Sequence, residues 1–350
     1  MSIYDSKLWN SDLDEIIKTL PELAMLSGQR VMITGCTGLI GSAVADVLIR
    51  WNETREGKIE LLLAGRDKER VRDRFAPFFE RDWLTFQPYD AASYENKLET
   101  RCDYVIHGAG NGAPGKIIAE PVETMISNFE GMRFLLDYAR KHAVKRCIFI
   151  SSSEVYGQGE SDKPRKLGDY GGIDSLDPRS SYSIGKQAAE TLCVSYFHEY
   201  GVPSSIIRPG HVYGPTATAS DNRVSQAWAF NAARGEDIVM KSDGSQIRSY
   251  CYCLDCAAAI LKVMLKGENA MAYNVSDPAS IASIKDIATI MAKFSGVKVI
   301  MDLPTKEERK AFNPMRNSSL DATELWALGW RGLFDAERGF SHTIRILREA

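Results

Sequence analysis

The stretch TGCTGLIG, residues 34–41, most restricts what this chain can fold into. It follows the apolar run RVMI, which predicts a strand, and it opens GSAVADVLIR, whose spacing predicts a helix. Glycines at such a turn permit a tight bend and let a pyrophosphate approach the unpaired N–H groups of the helix N-terminus. The turn therefore predicts a dinucleotide-binding fold. The residues expected to contact the dinucleotide here are Gly35, Thr37, Gly38, Leu39, Ile40 and Gly41.

Further apolar runs extend this unit into an α/β fold. RVMIT, IELLLA, YVIHG, RCIFIS and SSIIR predict strands, and most of the stretches between them have helical spacing. Strands that alternate with helices predict a Rossmann-type, doubly wound parallel sheet. We expect a helical extension over 1–27, a dinucleotide-binding domain over 28–208 plus about 248–275, and a smaller interleaved C-terminal substrate-binding region over about 209–247 and 276–350.

Composition excludes several classes of function. The net charge is −3 and no basic run is present, which argues against nucleic-acid binding. The long apolar run VMITGCTGLIGSAVADVLI is broken by glycines and Asp46, so it does not predict a membrane span, and the polar start carries no signal core. We therefore expect a cytoplasmic protein with reduced thiols. Cys251, Cys253 and Cys256 lack a paired CxxC or a nearby histidine, which favours core packing over a metal site.

The end of the second predicted strand bears on the choice of cofactor. An NAD site usually has an acidic residue at this strand end, which binds the ribose 2′-hydroxyl. In this chain Gly65 takes that place, followed by Arg66 and Asp67. An arginine can pair with a 2′-phosphate, so Arg66 favours NADP, although Asp67 leaves NAD open.

Two further strings carry the candidate chemistry. Tyr182 and Lys186 lie four residues apart in YSIGK and point to the same side of a predicted helix. The ammonium, together with a nicotinamide charge, is expected to lower the pKa of the tyrosine. In SSSEVYG, residues 151–157, Glu154 follows an apolar strand, where a carboxylate needs a partner or a function. The helix predicted to carry Tyr182 and Lys186 also has an apolar face, which consists of Ile184, Ala188, Leu192 and Tyr196.

Taken together, TGCTGLIG, SSSEVYG and YSIGK resemble the extended short-chain dehydrogenase/reductases, in the NAD-dependent epimerase/dehydratase family of nucleotide-sugar enzymes. The resemblance covers about residues 28–345. It implies that Ser152 supplies a catalytic hydroxyl, that Tyr182 is the general acid or base, and that Lys186 orients the tyrosine and the cofactor ribose. It also implies transient hydride removal from a sugar carbon, usually C4, to give a 4-keto intermediate.

Within this family the chain most resembles the UDP-glucuronate decarboxylases. Ser-Glu before VYG is similar to that group and to GDP-mannose 4,6-dehydratases, whereas dTDP-glucose 4,6-dehydratases carry aspartate in place of Ser153. Glu154 becomes a candidate catalytic carboxylate for C5 chemistry. His211 stands where the family usually has asparagine. The substrate-binding residues that the resemblance implies are Ser153, His211, Arg223 and Arg248.

Alternatives to decarboxylation stay open at this point. They are an NDP-sugar 4-epimerase, a 4,6-dehydratase and a 4-ketoreductase that consumes NADPH. Outside enzymology, the chain could be an NAD(P)-binding redox sensor, but the presence of Ser152, Tyr182 and Lys186 argues against that reading. The resemblance also implies a homodimer formed through two helices of each subunit, one of them carrying the Tyr-Lys pair.

Overall fold

The computed structural model describes residues 2–93, 95–159, 162–302 and 315–349. Its centre is a seven-stranded parallel sheet of order β3-β2-β1-β4-β5-β6-β10. These strands, numbered along the chain, are β1 Arg30–Thr34, β2 Glu60–Gly65, β3 Leu84–Pro88, β4 Tyr104–His107, β5 Arg146–Ile150, β6 Ser204–Pro209 and β10 Met271–Val275. The parallel sheet confirms the predicted Rossmann-type fold.

Helices cover both faces of this sheet. Side chains alternate along each strand, so Val31 and Ile33 of β1 enter one apolar core and Met32 enters the other. The helices are α1 Lys7–Lys18, α2 Leu39–Thr54, α3 Lys68–Arg74, α4 Pro114–Ala119, α5 Pro121–His142, α6 Ser180–Tyr200, α7 Val224–Arg234, α8 Cys253–Lys266, α9 Ile284–Ser295, α10 Thr323–Ala327 and α11 Ala336–Glu349. Helices α2 and α8 pack together on the first core, and α5 and α6 pack together on the second.

The strand order reverses between β1 and β4, and the carboxyl ends of these two strands lie at the same edge of the sheet. Thr34 pairs with His107 at the ends of these two strands, and the Thr34 hydroxyl lies 2.7 Å from Nδ1 of His107. In open α/β sheets, ligands bind in the crevice outside the carboxyl ends of the strands at such a reversal. The fold thus places the glycine turn after β1 at the edge where a ligand is expected.

Two smaller sheets lie beyond the main one. A four-stranded sheet contains β7, β9, β11 and β13, with β9 paired to each of the other three, and β8 pairs with β12. Their bounds are β7 His211–Tyr213, β8 Ile238–Met240, β9 Ile247–Tyr252, β11 Ile281–Ser283, β12 Val299–Met301 and β13 Asn317–Ser318. The chain returns from β9 through α8 to β10 in the main sheet, so the small sheets and the main sheet are interleaved in sequence.

The first helix lies along the outer side of α2 and α8 and also touches α11. Its apolar residues recur at helical spacing and face inward, as expected for an amphipathic helix. Those that are buried, with 0 to 3% exposed, are Trp9, Leu13, Ile16 and Ile17. The segment before the glycine turn is therefore an integral part of the core.

A buried polar cluster joins the start of the chain to the dinucleotide-binding unit. Asp46 of α2 is fully buried and accepts a hydrogen bond from the Tyr4 hydroxyl at 2.7 Å. Arg74 of α3 donates to the same tyrosine oxygen at 2.6 Å and to the Asp46 carboxylate at 2.6 Å. One carboxylate, one guanidinium and one phenol thus satisfy one another inside the protein.

A second set of contacts joins the start of the chain to its last helix. Asp12 of α1 accepts from the Tyr252 hydroxyl at 3.0 Å, and Nδ1 of His342 lies 2.9 Å from the same carboxylate. The Ser6 hydroxyl donates to the carboxylate of Glu349 at 2.5 Å. These bonds fasten α1 to both α11 and the end of β9.

All seven cysteines are buried as free thiols. Within the part of the chain that the structure describes, no three His, Cys, Asp or Glu side chains group so as to hold a metal ion. No helix in those same ranges is long and apolar enough to cross a membrane.

Candidate active site

The glycine turn is shaped by its closeness to the end of β4. Gly35 has φ +69°, and a Cβ built on it would lie 2.6 Å from the carbonyl carbon of Gly108. A Cβ on Gly41 would lie 2.3 Å from the carbonyl oxygen of Gly35. Side chains are therefore excluded from both positions, and the backbone forms the close-packed turn that a pyrophosphate requires.

Helix α2 begins directly after this turn. Gly38 is its N-cap residue and makes no side-chain capping bond, so the first N–H groups of the helix stay available to an anion. The backbone of Thr37, Leu39 and Ile40 lies at this terminus, as the sequence predicts. These residues fit the diphosphate of a dinucleotide cofactor and would hold it there.

The end of β2 presents a cation rather than an acid. Asp67 accepts a hydrogen bond from the backbone N–H of Arg70 at 3.1 Å and caps α3, so its carboxylate already has a structural task. Arg66 is exposed beside it. The two side chains that the sequence left as alternatives for the cofactor ribose are both exposed, but only Asp67 has a capping hydrogen bond to the backbone.

SSSEVYG begins directly after β5 ends at Ile150, and it forms a short 3₁₀ helix over Ser153–Tyr156. The Ser152 hydroxyl caps this helix by accepting from the backbone N–H of Glu154 at 3.2 Å. Ser153 is buried, whereas Ser152 and Glu154 are partly exposed. The turn therefore presents a hydroxyl and a carboxylate at the edge of the sheet, while the assignment of Ser153 to substrate stays a prediction.

Lys186 of α6 is anchored to the strand that precedes this turn. Its Nζ donates to the carbonyl oxygen of Ile150 at 2.7 Å and lies 5.7 Å from the centre of the Tyr182 ring. Burial lowers the pKa of Lys186 to about 7, and the charge of Glu190 acts against that shift. The Lys186 side chain thus joins α6 to β5 beside the tyrosine.

The sequence predicts a lowered pKa for Tyr182 beside a nicotinamide charge, and that stays a prediction. The protein's own groups raise the pKa of Tyr182 to about 12, first through burial and then through the charge of Glu154. A hydrogen bond with Ser152, followed by the charges of Arg223 and Arg179, lowers it. Desolvation of the phenolate outweighs these contributions, a burial effect that spacing along one helix does not reveal.

Glu154 is not free, because Arg179 holds it. The two guanidinium Nη atoms donate to the two carboxylate oxygens at 2.9 and 3.1 Å, in a bidentate pair. Arg179 is the N-cap residue of α6, just before Tyr182. Arg179 was not among the site residues predicted from the sequence. It could have been sought there, because a carboxylate that follows a buried strand is expected to have a partner.

Two arginines from the small-sheet region, Arg248 and Arg223, lie within electrostatic reach of this group, and His211 lies within reach of both arginines. Arg248 on β9 is 3% exposed, and its Nη1 donates to the carbonyl oxygen of Ile247 at 2.9 Å. Among the described residues it forms no ion pair with a carboxylate. Burial lowers the pKa of Arg248, and the charges of Tyr250 and Glu154 act against that shift. Arg248 is thus a buried cation with unused capacity for an anion.

His211 and Arg223 complete the set, with different properties. Burial, and then the charges of Arg248 and Arg223, lowers the pKa of His211 to about 3, so the imidazole is neutral. Its Nδ1 is buried without a hydrogen-bond partner in the described part of the chain. Arg223 forms an ion pair with Asp221, with Nε to Oδ1 at 2.9 Å, so its charge is largely offset. His211 therefore offers a polar atom to a ligand, and Arg223 offers less than the sequence suggests.

Comparison with known proteins agrees with this geometry. Residues 31–276 match the NAD dependent epimerase/dehydratase family. The chain is 27% identical over 266 residues to UDP-glucuronic acid decarboxylase 6 of Arabidopsis thaliana, covering 75% of this chain and 74% of that protein. It is 30% identical over 321 residues to a trifunctional UDP-glucose 4,6-dehydratase/UDP-4-keto-6-deoxy-D-glucose 3,5-epimerase/UDP-4-keto-L-rhamnose-reductase of the same plant, covering 90% of this chain and 46% of that protein.

A solved structure extends the likeness to the fold. An epimerase from Methanothermobacter thermautotrophicus has a TM-score of 0.80 with this chain, at 17% identity and with 95% of each chain covered. At this identity the likeness speaks for the fold alone, and the fold is the one that the seven-stranded sheet already indicates.

Proposed function

Because the chain belongs to the NAD dependent epimerase/dehydratase family, we propose that it modifies a nucleotide sugar through a transient 4-keto intermediate, most like a UDP-glucuronate decarboxylase. The observation that carries this proposal is Arg248, a 3% exposed guanidinium that pairs with no carboxylate of the described residues and lies within electrostatic reach of Glu154. A buried cation of this kind is stabilised by an anion, and a nucleotide sugar brings a diphosphate.

The residues of α6 and the β5 turn would carry the proton transfers at the C4 oxygen of the sugar. Tyr182, as a phenolate that the charge of a bound nicotinamide would favour, takes the proton of the C4 hydroxyl, and Ser152 hydrogen-bonds to the same oxygen. Lys186, anchored on the Ile150 carbonyl, orients Tyr182 and the cofactor ribose. A bound nicotinamide supplies the hydride acceptor that makes a C4 ketone possible and the donor that later removes it.

Decarboxylation then needs little from the protein beyond a stabilised enolate. The C5–C6 bond breaks, carbon dioxide leaves, and the electron pair forms the enolate of the C4 ketone. Hydrogen bonds from Ser152 and Tyr182 to the C4 oxygen stabilise that charge. A solvent proton adds at C5, and we assign Glu154 to this carbon because its carboxylate lies at the same strand end as Ser152.

The substrate would lie between the edge of the main sheet and the smaller sheets. We propose that the regions over about 209–247 and 276–350 bind it, together with β9, where Arg248 lies. His211 supports this placement, because its buried Nδ1 has no partner among the described residues and would gain one from a ligand.

Purified protein given UDP-glucuronate with NAD⁺ and, in parallel, with NADP⁺ is expected to release UDP-pentose or UDP-pentosyl-4-ketose, seen by mass spectrometry as loss of carbon dioxide. A product of unchanged mass would indicate epimerisation, loss of water from UDP-glucose would indicate a dehydratase, and stoichiometric consumption of NADPH would indicate a 4-ketoreductase. Cofactor binding with no turnover across a panel of nucleotide sugars would favour the redox sensor and contradict the enzymatic proposal.

The preference for NADP over NAD is part of the proposal. It is supported by Arg66, which is exposed at the end of β2, and by Asp67, which is occupied as a helix cap. Replacing Arg66 with glutamine is expected to weaken NADP⁺ binding by about tenfold, the loss of one charge-assisted hydrogen bond, and to leave NAD⁺ binding unchanged. Dissociation constants for both nucleotides, from calorimetry, test this.

Arg72→Gln is a matched control for Arg66, because Arg72 is an exposed arginine of α3 that pairs with Glu69. It should bind both nucleotides as the unmodified protein does. Equal weakening of NAD⁺ and NADP⁺ by Arg66→Gln would remove the case for the 2′-phosphate contact.

We also propose a homodimer formed through α5 and α6. The apolar face that the sequence places on α6 is only half-buried, since the more deeply buried residues of that helix lie on another side. Val122 and Met125 of α5 are exposed as well, at 61% and 41%. A cytoplasmic location belongs to the same proposal and is supported by the seven free thiols.

A further inference from the structure

The pair formed by Glu154 and Arg179 is geometrically constrained. Both side chains are about one-fifth exposed, at 22% and 20%, and the guanidinium meets the carboxylate through two parallel bonds of 2.9 and 3.1 Å. A bidentate fork of this kind fixes the orientation of a carboxylate as well as its position. Exposed ion pairs hold their geometry poorly, whereas this one is largely shielded from water.

The two partners come from the two elements that build the catalytic group. Glu154 lies on the 3₁₀ helix after β5, which Ser152 caps, and Arg179 lies at the start of α6, which carries Tyr182. The pair therefore bridges the elements across the site. A rotation of Glu154 about its side-chain bonds would break both hydrogen bonds to Arg179.

The charges around Glu154 indicate what this bridge does. Three groups lie within electrostatic reach of its carboxylate: Arg179 and Tyr182 from α6, and Arg248 from β9. Glu154 raises the pKa of Tyr182, whereas Arg179 lowers it, so the pair presents offsetting charges to the phenol. Only Arg179 among the three is bonded to Glu154, and it leaves Arg248 available to a ligand.

We propose that Arg179 is a positioning residue that holds the Glu154 carboxylate in one orientation for the step at the sugar carbon next to the 4-ketone. This inference rests on the proposed function. It divides the site into two parts: Ser152, Tyr182 and Lys186 serve the formation of the ketone, and the Arg179–Glu154 pair serves the chemistry that follows at C5.

These two roles can be measured separately by rapidly mixing the protein with UDP-glucuronate and whichever of NAD⁺ and NADP⁺ it binds more tightly. In Arg179→Gln, nicotinamide reduction, read by absorbance, is expected to stay within about twofold of the unmodified protein, while formation of UDP-pentose falls by at least about tenfold, within the range of acid–base contributions. Glu154→Gln should give the same split. Because the two residues act as one unit, the double variant should be no slower than Glu154→Gln alone.

Two further variants separate positioning from general damage. Arg179→Lys keeps the charge without the fork and should restore part of the product rate. Arg133→Gln removes another arginine that pairs with a glutamate, Glu130 on α5, and should change neither step. Parallel loss of both steps in Arg179→Gln would indicate a purely structural role. A higher KM, with the ratio of nicotinamide reduction to UDP-pentose formation unchanged, would instead indicate that Arg179 contacts the substrate. Either result overturns the proposal.

A measurement without substrate separates this inference from the choice of sugar. With NAD⁺ bound, Tyr182 ionisation is followed by ultraviolet difference against Tyr182→Phe. Its midpoint should rise in Arg179→Gln, fall in Glu154→Gln and return near the original in the double variant, because the two charges act in opposite directions. If UDP-glucuronate is not turned over, these shifts in the ionisation midpoint of Tyr182 still test whether Arg179 and Glu154 act as a pair. Their absence would refute the proposed role of Arg179.

Discussion

Replacing Tyr182 with phenylalanine is expected to lower turnover of the nucleotide sugar by on the order of 10³-fold, within the range that general acid–base groups contribute. The proposal assigns the phenol to proton exchange with the C4 oxygen, because Ser152 acts to lower its pKa and Lys186 lies 5.7 Å from its ring centre. Since no ketone can form without that exchange, nicotinamide reduction and product formation should fall together. Stopped-flow absorbance and mass spectrometry record the two.

Tyr196→Phe is the matched control for this prediction. Tyr196 lies on the same helix, and its hydroxyl donates to Asp137 at 2.8 Å on the outer side of the protein. The change should leave turnover within about twofold, because surface substitutions of this kind perturb little. A Tyr182→Phe protein that still reduces nicotinamide at an undiminished rate would remove Tyr182 from the chemistry and strengthen the sensor alternative.

The second large effect concerns stability. Asp46→Ala is expected to lower the free energy of unfolding by about 3 kcal/mol or more, because it leaves the Arg74 guanidinium without its carboxylate. Arg74 and Tyr4 both bond to Asp46 in the native protein, at 2.6 and 2.7 Å. Urea unfolding followed by circular dichroism measures the change. Asp14→Ala removes a partly exposed partner of Arg50 and should cost about 1 kcal/mol or less.

If Asp46→Ala and Asp14→Ala lowered the free energy of unfolding equally, burial of the Asp46–Arg74 pair would contribute no additional stability. A large loss confined to Asp46→Ala would instead identify the cluster as the fastening between the start of the chain and α2. Binding of the nicotinamide dinucleotide, measured at a temperature where both variants are folded, checks that the glycine turn is intact in each of them.

The parts of the fold that follow from local pattern were predictable from sequence. The five apolar runs are all strands of the main sheet, because buried parallel strands are uninterrupted runs of apolar residues. β3 was missed, since LTFQP places polar side chains at an edge of the sheet. β10, MAYNV, was missed at the opposite edge, where its first two residues are only half-buried.

The candidate site likewise combines local patterns, which the sequence reveals, with contacts between distant residues, which it does not. The glycine turn and the pair Tyr182 and Lys186 are local patterns, and the structure places them as the sequence predicts. The partners of the charged residues are not local: Arg179 meets Glu154 and Arg74 meets Asp46 only after the chain has folded. In the sequence, Asp46 was no more than an interruption of an apolar run, because nothing near it in the chain reveals a guanidinium.

The packing of α1 against α11 has a consequence for biosynthesis. A ribosome releases the amphipathic α1 well before α11, which covers part of it, and Glu349, whose carboxylate meets Ser6, follows that serine by 343 residues. Contacts so distant in sequence form late, and a nascent chain must wait for them with apolar surface uncovered. We therefore expect the apolar stripe of α1 to be covered in stages, first by α2, then by α8 and only afterwards by α11. The residues of this stripe are Trp9, Leu13, Ile16 and Ile17.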